Sequence, residues 1–264
     1  MMRTSNPALN ASVFNVHDTT GAPTMTLQGT VAKTAILLGI LVVAAGITWH
    51  QALQVADVSD SLAVASGTGR TMQISPAVGG YVAVGAIAGF VLALITVFKP
   101  SVSPYTTPLY AAAEGCFLGG MSVMFNNAYP GVVAQAVTLT FGTLATLLTA
   151  YATRIIRPTE NFKLGIFAAT GGIALFYLVS MVLGFFHISV PMINSSGWMG
   201  IGFSVFVVVI AALNLVLDFD LIETGVAQSA PKYMEWYGGF GILVTLVWLY
   251  LEILRLLAKL RSRD

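Results

Sequence analysis

Two acidic stretches lie in or beside apolar helices long enough to cross a membrane. They are Asn214-Leu-Val-Leu-Asp218-Phe-Asp220-Leu-Ile-Glu223 and Trp248-Leu-Tyr-Leu-Glu252-Ile-Leu-Arg255. A charge in hydrocarbon is costly enough that such carboxylates are functional candidates by default. On a helix, Asp218 shares a stripe with Ser204, Ala211 and Asn214, which points it at a bundle interior. Asp220 shares its face with Val209, Leu213 and Val216 and lies with Glu223 nearer the helix end. For Asp220 a gating role and a solvated rim are both open. Glu252 falls on a stripe with Gly241, Thr245 and Trp248, and Arg255 follows one turn later. Two readings fit Glu252. It forms an i, i+3 ion pair with Arg255, or it meets Asp218. Two carboxylates sharing a site cannot both ionise cheaply and titrate as a unit, which would make a pH-sensitive latch.

A further intramembrane acid, Glu114, stands between Ala113 and Gly115, and Gln135 in the next apolar run could donate to it. Their alternative role is a hydrogen bond that fixes helix packing. His17, His50 and His187 are scattered, without metal-site spacing, and no metal is assigned. A GxSxG elbow, a Walker loop and a serine–histidine constellation are lacking, so neither an enzyme nor a cofactor is expected.

The elements that must position these acids follow from composition. Of 264 residues 56% are hydrophobic and 9% charged, with a mean hydropathy of +0.83, against about 25% charged in a soluble domain. The chain reads as an integral membrane protein in contact with lipid. A net charge of +1, from 12 basic and 11 acidic residues, excludes a nucleic-acid partner as the expectation. The single cysteine, Cys116, excludes an intramolecular disulfide. Residues 1–28 read as a polar, retained tail without signal-peptide features, and 29–264 as one transmembrane domain. Seven stretches approach or exceed the roughly 20 apolar residues of a spanning helix: 31–49, 77–98, 107–126, 131–153, 164–186, 197–222 and 237–259. The expected fold is therefore an all-α bundle of seven transmembrane helices. Residues 50–76 read as a polar connection carrying Asp57, Asp60 and Arg70, and the third and fourth spans as a hairpin.

Gly85-Ala-Ile-Ala-Gly89 and Gly115-Cys-Phe-Leu-Gly119 have the small-xxx-small spacing that lets membrane helices approach closely. Intramolecular packing is the reading preferred to dimerisation, and the oligomeric state is left open. Lys99, Arg154, Arg157, Lys163 and Lys232 fall on the side of the N-terminus, opposed by Arg70. This places the N-terminus in the cytoplasm. Lys259, Arg261 and Arg263 then lie outside, unless the last span is re-entrant.

In Asp218-Phe-Asp220-Leu-Ile222 and Leu249-Tyr250-Leu251-Glu252-Ile253 the last two spans resemble paired elements of the transmembrane Bax inhibitor motif family. The tail motif Ser5-Asn6-Pro7-Ala8-Leu9, Thr24-Met25-Thr26-Leu27 and Ala230-Pro231-Lys232-Tyr233-Met234-Glu235-Trp236 are similar to a bacterial branch described as YccA/Bax inhibitor-like. The resemblance implies a Bax inhibitor-like seven-helix fold, six helices around a central one, in a bacterial inner membrane. It also implies a calcium leak gated by pH through acids in the sixth and seventh helices, here Asp218 and Glu252, with Asp220 where the family has Asn or Gln. Glu replaces the second Asp, and the link between the acids is longer than in the commoner members.

The leading expectation is a passive, pH-modulated leak for calcium or another cation. Oxygen ligands suit hard cations, and acidic rings favour cations in pores. Asp218, Glu252 and Asp220 are the gating candidates; Glu114, Gln135, Asn214 and Arg255 are pore or network candidates. The alternative is a regulatory protein that binds a membrane protease or a stress or cell-death partner. A retinal photoreceptor is disfavoured, because the last span's only lysine, Lys259, stands at its end.

Overall fold

The computed structural model describes residues 23–65, 76–186 and 197–263, with side chains from 23–52 and 78 onward within those segments. Among the described residues there are seven α-helices: α1 Leu27–Ala65, α2 Pro76–Phe98, α3 Ser103–Ala128, α4 Val132–Ala152, α5 Glu160–Phe185, α6 Trp198–Ala227 and α7 Met234–Arg261. The tail motif at Ser5, Arg70, His17, His187 and the turn at 189–196 lie outside the described residues.

Six of these helices are long and apolar enough to cross a membrane. Large apolar side chains such as Ile36, Phe90, Leu178 and Phe206 are turned outward, as lipid contact requires and water does not favour. The chain is a multi-pass membrane protein. The exception is α3, which is long enough at 26 residues but too polar. Its reason is packing: Ser103, Thr106, Thr107, Gly115, Gly119 and Ser122 are buried, so its polar face meets protein rather than lipid.

The polar connection expected from residue 50 is corrected. Instead, α1 runs for 39 residues to Ala65 and covers Asp57 and Asp60. No Gly or Pro interrupts 51–65, and Gln, Ala and Leu sustain a helix beyond the bilayer. Elsewhere the boundaries follow local chemistry. The α5 helix starts at Thr159, whose hydroxyl accepts from Phe162 N at 3.2 Å, with Glu160 in the first turn favouring the dipole. Gly131 before α4 adopts φ 84°, which a residue with Cβ resists.

Two compact units share the chain, one of residues 1–127 and 221–243 and one of 128–220 and 244–264, so α6 and α7 each contribute to both. In the first unit, glycines allow close backbone approach. A Cβ at Gly85 would stand 2.7 Å from Phe117 N, and one at Gly119 would stand 2.6 Å from Ala45 O. Thus α3 packs on α2 through one small-residue pair and on α1 through the other. Leu37, Tyr110, Ala111, Phe240 and Leu243 form the core beside them. In the second unit Ile166, Ile173, Val207 and Ile210 join α5 to α6.

A topology experiment follows from the seven helices. Three helices separate Asp60 from Arg157, so reporters inserted near Asp60 and after Arg157 are expected on opposite sides of the membrane. Finding both on one side would mean that α3 does not cross.

Candidate functional site

The second unit holds a seam of polar groups along α5, α6 and α7. Asp218 Oδ2 accepts from the Thr245 hydroxyl at 2.6 Å. Toward the other end, Lys259 Nζ donates to Ser204 Oγ at 2.9 Å and to Gly200 O at 3.0 Å. On each helix fourteen residues separate these two contacts, so α6 and α7 run antiparallel in one unbroken register. The seam is about 21 Å long at 1.5 Å per residue. Between its ends, Asn214 Nδ2 donates to Thr170 Oγ1 and to Ile210 O, both at 2.8 Å.

Glu252 stands in the same seam and is 2% exposed. Its Oε1 accepts from Tyr177 Oη and from Arg255 Nη1, each at 2.9 Å, and Oε2 accepts from the same Nη1 at 3.1 Å. Arg255 Nη1 also donates to Tyr177 Oη at 2.8 Å, and its guanidinium lies 5.2 Å from that ring's centroid. The carboxylate is neutralised and wrapped. Asp218 and Glu252 are not bonded to each other, which corrects the latch expected from their stripes. The register gives the reason: Glu252 is seven residues past Thr245, so its level lies about 10 Å along the axis from that of Asp218. Both acids face the seam at different depths.

Asp220 has a different fate. Its Oδ2 pairs with Lys163 Nζ at 2.7 Å, and that amine also meets Glu160 at 3.3 Å. This is a half-exposed cluster at the start of α5, close to the rim reading. Of the charged groups in the seam, Glu252 and Arg255 cancel, as do Asp220 and Lys163. Among the described residues Asp218 has only a hydroxyl partner.

Glu114 and Gln135 belong to different units. In the first, Glu114 lies against Gly89, where a Cβ would stand 2.7 Å from its Oε1. In the second, Gln135 is exposed on α4. Glu114 thus fits the helix-packing role that its position also allowed.

The first unit contains a second polar cluster. Thr26 caps α1, its hydroxyl accepting from Gly29 N at 3.0 Å. Glu235 in the first turn of α7 is 1% exposed; its Oε1 accepts from Thr26 N at 3.0 Å, Thr26 Oγ1 at 2.8 Å and Lys232 Nζ at 2.7 Å. An anion at a helix N-terminus is favoured by the free N–H groups and by the dipole. The carboxylate sits so close to Gly29 that any Cβ there would collide with it. Met25 N donates to Ala230 O at 2.7 Å and Thr24 bridges Pro231. Two short motifs more than 200 residues apart therefore form one clip.

A family model described as Bax inhibitor 1 like matches residues 6–262. The chain belongs to the Bax inhibitor 1 like family. Neither curated proteins nor solved structures gave a match. In this family member the structure joins several residues that pattern alone did not assign. Tyr177, Thr170 and Lys163 on α5 complete the partners of Glu252, Asn214 and Asp220, and Lys259 extends the α7 stripe of Thr245, Trp248, Glu252 and Arg255 by one more step. The seven-residue interval between Thr170 and Tyr177 was the available signal on α5.

Proposed function

We propose that this member of the Bax inhibitor 1 like family is a passive, pH-modulated leak for cations, calcium among them, and that Asp218 sets its pH dependence. One observation supports this above the others. Asp218 is an intramembrane acid whose only partner among the described residues is the Thr245 hydroxyl, whereas Glu252 and Asp220 already hold cationic side chains. An acid without a counter-ion in a polar seam attracts a passing cation when ionised and not when protonated. The lysine and arginine asymmetry of the loops orients the protein with its N-terminus in the cytoplasm, of a bacterial inner membrane by the resemblance to the YccA-like branch. Asp218 then lies toward the cytoplasmic side.

Protein reconstituted in liposomes tests this. Divalent-cation flux is expected to rise with pH as Asp218 loses its proton. Asp218→Asn is expected to flatten that profile, because an amide has no proton to lose. Glu252→Gln is expected to leave the shape of the profile in place, since Glu252 is matched by Arg255. A wild-type profile that is flat, or one that survives Asp218→Asn, overturns the reading and favours a regulatory protein that acts by binding a membrane partner.

A further inference from the structure

The seam carries a second charge without a counter-ion, and it is positive. Lys259 is 6% exposed. Its ammonium donates to two uncharged oxygens, Gly200 O at 3.0 Å and Ser204 Oγ at 2.9 Å, and among the described residues no carboxylate pairs with it. A lysine at the end of a membrane helix ordinarily extends toward water. The following Arg261 and Arg263 are exposed, whereas Lys259 is turned between α6 and α7. Nor does it serve the carbonyls of its own last turn, because both partners belong to the start of α6. The nearest cation along the stripe, Arg255, is already matched by Glu252. Among the described residues the seam thus bears a negative group without a counter-ion at the Asp218 end and a positive one about 21 Å away.

We propose that Lys259 is an electrostatic plug: its fixed ammonium opposes the passage of cations along the α6–α7 seam and limits the leak that Asp218 supports. This rests on the leak reading and adds to it the group that restricts flow. At a separation of about 10 Å and an effective dielectric of about 20, removing one positive charge changes a monovalent cation's crossing rate by about tenfold, and a divalent cation's by more.

The test uses two substitutions that neutralise the charge by different routes, in the same liposomes and at the pH of greatest wild-type flux. Lys259→Gln removes the ammonium. Ser204→Asp keeps it but supplies a carboxylate at the position that already accepts its hydrogen bond. Each is expected to raise monovalent-cation flux about tenfold and to shift the reversal potential toward greater preference for cations over chloride, while Lys259→Arg retains the restriction. Wild-type flux that both neutralising variants leave unchanged overturns the plug alone. So does a rise in which cation and chloride flux increase together, since a packing defect leaks both. Flux no greater than in protein-free liposomes for the wild type and both variants overturns the leak and the plug together.

Discussion

Arg255→Met is expected to destabilise the protein by about 3–5 kcal/mol, because it strands Glu252 as a buried, uncompensated carboxylate. Glu252 is 2% exposed and takes three hydrogen bonds, two of them from Arg255. The converse change, Glu252→Gln, should cost less, about 1–2 kcal/mol. The arginine it leaves behind is 37% exposed and retains the Tyr177 hydroxyl and ring. The double variant Arg255→Met with Glu252→Gln should recover much of the loss, since no ion is then left unmatched. Reversible unfolding in mixed micelles measures all three. An Arg255→Met loss below about 1 kcal/mol would mean that the pair is solvated and behaves as a surface ion pair. The asymmetry between the single variants distinguishes this structural pair from an acid that senses pH.

The second large effect is steric. Gly119→Leu should lower stability by more than about 3 kcal/mol, the upper end of the usual cost of overpacking, because a Cβ at this position would face Ala45 O at 2.6 Å and Thr48 Cβ at 2.8 Å. Backbone cannot rotate aside as a side chain can, so α1 and α3 must separate. Gly85→Leu should behave alike against Phe117 N and Ala113 O on α3. Gly171→Leu is the control: nothing lies within 4 Å of its Cβ position, and its melting temperature in detergent should stay within a degree or two of the wild type. Equal melting temperatures for all three would place Gly119 and Gly85 against lipid.

The spans could be found in the sequence because roughly 20 apolar residues are a physical requirement of the bilayer, and, the end of α1 apart, helix starts and ends fall within a few residues of the expected ones. The end of α1 was hidden because a polar helix beyond the membrane has the composition of a loop. Individual helix faces were also legible. Ser204, Asn214 and Asp218 do share a polar stripe, buried at Ser204 and part-buried at the other two, and the buried Thr245 and Glu252 share another. What periodicity cannot supply is the axial register between two helices. Asp218 and Glu252 each face the seam, yet a sliding of seven residues separates a shared proton from two independent sites. The same limit hid Tyr177 and Lys163, whose partners are set by how α5 slides along its neighbours rather than by spacing within α5. Arg255 was legible as a partner of Glu252 because three residues on one helix fix the distance without any register.

The clip between Thr24–Thr26 and 230–235 has a consequence in time. The bond from Thr26 N to Glu235 joins residues 209 positions apart. At synthesis rates of about 5–20 residues per second, its acceptor is made on the order of 10–40 s after its donor. For most of that interval the first helix is already made while its N-terminal amide still waits for a carboxylate that the ribosome has not reached. Closure of the clip is therefore among the last events of biogenesis, and a chain that stops before Glu235 is left with its first helix unfastened, open to whatever surveillance recognises an unfinished membrane protein.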